Sequence, residues 1–126
     1  MEFVLAPDIA SELKRIIVGL GFGHLKAEKI IAFRSFGSKS RAVARVWSLP
    51  RIWQMALQKE AHYCLEVVSE RFDKLGTIEK EKVLIHELLH IPKNFSGALL
   101  PHRHRGRRID RKTVERWHLL LKSTKS

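Results

Sequence analysis

His86-Glu87-Leu88-Leu89-His90 brings two imidazoles and a carboxylate together in one short run of chain. On a helix, residues four apart lie on the same face one turn along, so both His can present a ring nitrogen to one metal ion. Glu87 then sits beside a water on that ion. A divalent metal brings the pKa of such a water towards neutrality, and an adjacent carboxylate can take its proton as it attacks a polarised carbonyl. The chemistry this pattern supports is metal-assisted hydrolysis of a peptide bond.

The flanking residues predict the helix that this chemistry needs. Thr77 is the expected N-cap, Glu79 and Glu81 lie near the positive N-terminal end, and Val83, Leu84, Leu88 and Ile91 supply an apolar surface before Pro92 stops the helix. Two His fill half of a tetrahedral site, whereas a catalytic zinc takes a third protein ligand and leaves the fourth position to water. The segment after the helix contains the turn residues Gly97 and Pro101, followed by His102-Arg103-His104. A loop of this length can return to the end of the helix, so His102 or His104 can close the site.

His86-Glu87-Leu88-Leu89-His90-Ile91-Pro92, with Phe95-Ser96-Gly97 and Leu100-Pro101-His102, resembles the signature of a metallopeptidase family found in archaea and phages. More distantly it is similar to the SprT-like proteases. The resemblance extends upstream through Arg34-Ser35-Phe36-Gly37-Ser38, Ala44-Arg45-Val46-Trp47, Leu49-Pro50-Arg51-Ile52-Trp53-Gln54 and Glu66-Val67-Val68, covering most of residues 30 to 105. It implies a minimal zincin domain with one Zn²⁺ per chain, Glu87 as general base, His86, His90 and His102 as ligands, and His104 in reserve. A polypeptide substrate is implied with it. Cys64 is the one cysteine, which excludes a second, Cys-based zinc site.

Charge is the second signal. The chain of 126 residues carries a formal net charge of +11, and residues 102–126 contribute +7 of it, nine Lys or Arg against two acids. Arg103, Arg105, Arg107, Arg108, Arg111 and Lys112 are the candidates for phosphate contacts that would bind DNA or RNA in a salt-sensitive, sequence-independent way. A nucleic-acid-binding protein with a structural zinc site, or none, is therefore the alternative to a zinc endopeptidase. The two combine as a protease acting on DNA-associated proteins. No apolar run is long enough to span a membrane and no secretory pattern opens the chain, so a soluble cytoplasmic protein is expected.

The elements that must position these groups read as one α+β domain over residues 1–126, a small mostly antiparallel sheet packed by helices, with the basic segment 102–126 at its end. Ile9, Leu13, Ile16, Ile17 and Leu20 recur at helical spacing and end among Gly19, Gly21 and Gly23. Ile30 to Phe33 and Arg41 to Trp47 read as two strands of a hairpin, and residues 51–59 as a short helix or irregular segment. Ala61 to Val68 alternates as a strand leading directly into the motif helix. It is the candidate free edge for an extended substrate, its other possible place being interior. Val114, Trp117 and Leu121 stripe a final helix. Trp47, Trp53 and Trp117 are expected to pack, Cys64 to fill core, and His24 and His118 to be ordinary polar positions, while His62 is expected at the surface, with an approach to the metal from the strand as its other reading.

Overall fold

The computed structural model describes residues 1–104 and 107–124, the side chains of His104 and Arg107 excepted. Its elements are β1 (Glu2–Leu5), α1 (Pro7–Leu20), a 3₁₀ turn (Ala27–Lys29), β2 (Ile30–Phe36), β3 (Ala44–Ser48), α2 (Arg51–Leu57), β4 (Tyr63–Val68), α3 (Ser69–Phe72), α4 (Thr77–Leu89), β5 (Arg103–His104), β6 (Arg107–Arg108) and α5 (Arg111–Thr124). The main sheet runs β1-β2-β4-β3. Its outer pairs are antiparallel and β2 pairs parallel with β4, so the fold is α+β with a small, mostly antiparallel sheet, as expected.

The two strands expected to form a hairpin are not neighbours. β4 is inserted between them, and the free-edge reading of the 61–68 strand is corrected with it: β4 is interior and β3 is an edge. The physical reason is burial on both faces. Leu65 and Val67 are 0% exposed on one side, Glu66 and Val68 only 1% on the other, and a strand buried on both faces belongs at the centre. Leu65 and Val67 share the sheet face that α1 covers: Arg34, registered beside Val67, reaches Asp8 of α1 with Nη1 at 2.6 Å. Phe3, Leu5 and Trp47, on the opposite face, remain exposed.

α1 buries Ile9, Leu13, Ile16 and Ile17, starts with Pro7, and ends at Gly21, whose φ of 66° is the left-handed conformation that glycine adopts without penalty. Further expectations need correcting. Thr77 is the first helical residue of α4 and Gly76 occupies the cap position, with no side-chain cap. A short helix, α3, separates β4 from α4. Trp47 and Trp53 are 48% and 55% exposed, whereas Trp117 meets Phe22 edge-on at 4.8 Å. His118 is buried, with its Nε2 3.0 Å from Glu81 Oε1, because α5 packs it against α4 at the point where Arg15 also reaches Glu81. Among the described residues no helix is long and apolar enough to cross a membrane.

Candidate metal centre

The rotation of α4 follows from its buried residues. Glu81, Leu84, Ile85 and Leu88 recur at helical spacing on the inner face, which leaves His86 and His90 on another face, one turn apart. Helix α4 ends at Leu89, and His90 is its C-cap. From there the chain loops through Pro92 to Pro101 and brings His102 back over the motif.

His86, His90 and His102 form a cluster whose ligand atoms all lie within 4.8 Å of one another. His86 Nε2 is 3.3 Å from His102 Nε2 and 3.4 Å from His90 Nε2. Zinc–nitrogen bonds of 2.0–2.1 Å in a tetrahedron set ligand nitrogens about 3.3–3.4 Å apart, so these two edges fit the ion. The donor chemistry fits too. His90 Nδ1 lies 2.5 Å from the Leu100 carbonyl oxygen, to which it must donate a proton, leaving the Nε2 lone pair directed into the cluster. Burial, then the neighbouring His90 and His102, push the His86 pKa down to about 4, which keeps this ring neutral and able to ligate. Three imidazoles with ring nitrogens this close could hold a borderline-soft divalent cation.

Glu87 stands beside this cluster, its Oε2 3.8 Å from His86 Nε2. Its side chain is only 12% exposed, and burial pushes its pKa up to about 7. With His86 it lines a cleft of about 440 Å³ between α4, α5 and the start of β3, whose apolar wall is Val43, Ala44, Val83 and Val114.

The other candidates lie outside the cluster, and two of the basic ones meet, Arg103 and Arg108 being cross-strand partners in the β5–β6 pair. Arg103, Arg108, Arg111 and Lys112 are exposed, and Arg111 Nε is 3.3 Å from Glu115 Oε1. Arg105 lies outside the described residues, as do the side chains of His104 and Arg107. His62 is outside the cluster, with its Nδ1 2.8 Å from the Glu60 carbonyl. Cys64 is half-buried, and burial raises its thiol pKa, which makes it an unreactive thiol. Sequence reading missed Gln54 and Tyr63, which bond the backbone of the His102 loop at Ser96, Gly97 and Ala98. No residue-type pattern flags either, because each acts through one polar group on an element remote in sequence.

A family model described as "Putative phage metallopeptidase" matches residues 1–122. No curated protein and no solved structure matches the chain.

Proposed function

Since the chain belongs to this phage metallopeptidase family, we propose that it is a zinc-dependent endopeptidase of minimal zincin type, distantly SprT-like, built as one domain. His86, His90 and His102 hold one zinc per chain, and Glu87 is the general base. The observation that carries this reading is the convergence of three imidazole nitrogens beside a buried carboxylate. Bound zinc supplies Lewis acidity, acidifying a water and stabilising the charge that develops on the substrate carbonyl.

The chain's own groups do the rest. The Leu100 carbonyl fixes the His90 tautomer, and the half-buried, neutral His86 offers its lone pair without first losing a proton. Glu87, with a pKa near neutrality in the metal-free site, can take a proton at its carboxylate and pass it to the departing amine. The substrate backbone has a place beside β3. This strand pairs on one side with β4, and the preceding Val43 and its first residue Ala44 line the cleft with His86 and Glu87. An extended polypeptide adding there as a further strand would be held by backbone hydrogen bonds with little demand on its sequence.

A second reading is supported by the +7 segment and its exposed Arg103, Arg108, Arg111 and Lys112. It is nucleic-acid binding, which would direct the peptidase, in the cytoplasm, to proteins on DNA or RNA. In its strong form the segment is the working surface and zinc is structural or absent. Glu87→Gln separates the classes: it is expected to retain zinc and fold while losing hydrolysis of an unfolded protein substrate. Parent-like cleavage by this variant would refute the mechanism.

A further inference from the structure

His86 and His90 are aligned by the helix that carries them, whereas His102 comes from an irregular loop and needs something else to hold it. We propose that Gln54 and Tyr63 are positioning residues that clamp the 91–102 loop to the sheet and so deliver His102 to the other two imidazoles. The proposal rests on the zinc-site reading above.

Gln54 donates from Nε2 to two carbonyl oxygens, Leu49 at 2.8 Å and Ser96 at 2.9 Å, joining the chain before α2 to the loop. The Tyr63 hydroxyl accepts from Gly97 N and donates to the Ala98 carbonyl, both at 2.8 Å. Its ring meets Phe95 edge-on at 5.0 Å. The loop is then closed onto the motif helix, where Leu100 N donates to the His90 carbonyl at 2.7 Å. Four successive loop residues, Phe95 to Ala98, are thus fixed from β4 or α2 just before the chain turns to His102.

Two further features point the same way. The backbone is bent to make these contacts: Phe95 has φ 47° and Gly97 φ 95°, both in the left-handed region. A Cβ on Gly97 would overlap Gln54 Nε2 and lie 2.6 Å from the Leu49 oxygen, so the loop passes as close to α2 as glycine allows. Helix α2, in turn, contains no buried residue, and Ile52, Met55 and Leu57 are exposed. Apolar burial therefore does not explain where this helix sits, and the Gln54 hydrogen bond to Ser96 is what ties it to the loop. Gln54 and Tyr63 grip the loop from separate elements, both remote in sequence from the ligands.

The test compares the parent with Tyr63→Phe, Gln54→Leu and His102→Ala, the last defining a site without its third ligand. Zn²⁺ affinity is measured against a competing chelator, the visible spectrum is recorded with Co²⁺ in place of zinc, and stability is measured by urea unfolding of metal-free protein. Tyr63→Phe keeps the ring against Phe95 and carries the test should Gln54→Leu not fold. Each clamp variant is expected to bind Zn²⁺ about 10-fold more weakly and to move the Co²⁺ spectrum towards that of His102→Ala, a change that lowered stability alone would not produce. Clamp variants with the parent's spectrum and affinity, whatever their stability, overturn the proposal and leave the zinc site standing. A parent that takes up neither ion overturns both.

Discussion

Replacing Glu87 by Gln should make the metal-free protein more stable at alkaline pH, and by a predictable amount. The carboxyl is buried beside a neutral imidazole, and burial moves its pKa from 4.5 to about 7. A carboxyl whose pKa is higher folded than unfolded weakens the fold only where the unfolded chain has ionised. The penalty is therefore absent below pH 4.5, grows between 4.5 and 7, and is complete above 7. That interval corresponds to about 3 kcal/mol, or roughly 10 °C in Tm for a domain of this size. Gln fills nearly the same volume without a charge. Urea unfolding of metal-stripped parent and Glu87→Gln at pH 5 and pH 8 should give a small difference at the lower pH and a gain of about 3 kcal/mol for the variant at the higher. The depressed pKa of His86 affects both proteins and drops out of the comparison. Bound zinc should shrink the gain, because a cation beside Glu87 favours its ionised form. A variant whose advantage does not grow from pH 5 to pH 8 would refute the assignment of Glu87 as a carboxylate held against its solvation preference.

The ligand assignment predicts that His102→Ala weakens zinc binding beyond the roughly 10–100-fold typical of an outer-shell partner, while His104→Ala leaves most of it; chelator competition reads both, and the reverse result transfers the role to His104. Arg34 places Nη1 2.6 Å from Asp8 and Nη2 3.0 Å from Asp73, and its hydrogen bonds hold both carboxyls below their usual range. Arg34→Met should therefore lose about 1–2 kcal/mol of stability at pH 7, Asp8 being largely exposed. Because that stabilisation is present above the unfolded carboxylate pKa and disappears as pH falls through the folded values, the two proteins should converge in acid unfolding. Replacing Arg105, Arg107 and Arg108 together with Ser should leave zinc content unchanged, lower affinity for DNA or RNA, and reduce the salt slope by about 0.9 per lost phosphate contact. An unchanged slope identifies the +7 segment as solvated surface.

The motif helix and the arrangement of its two His were legible because helical periodicity is local: the buried face of α4 and the i, i+4 spacing can be read from one segment. His102 was legible only as one of two nearby histidines until the resemblance chose between them. Apart from the Thr77 cap and the unforeseen α3, the wrong expectations concern partners distant in sequence. Alternation in Tyr63 to Val68 identifies a strand but not its neighbours, so the same residues fit an edge or a centre; burial of Glu66 and Val68 on the second face decides it. Glu66 reads as solvent-facing by type, yet Arg45 Nε at 2.7 Å and Trp47 Nε1 at 2.9 Å satisfy it where it is buried. His118 likewise reads as an ordinary polar residue, and only the packing of α5 on α4 supplies the Glu81 that lets it go inside.

The clamp also constrains the order in which this chain acquires its parts. The three imidazoles lie close together in sequence, so they can meet early, when loop closure is short and entropically cheap. Their cradle cannot, because β4 finds its place only after the chain has crossed between β2 and β3, a parallel and an antiparallel pairing made across intervening elements. Such non-local pairing is the slow part of folding. On the proposed zinc site, a refolding chain whose sheet forms last would offer zinc a loose set of ligands before it offers a finished site. Capture with native geometry would then report that the central strand has arrived, and a zinc ion would serve as a clock for the sheet, started by a stretch of chain that contributes no strand to it.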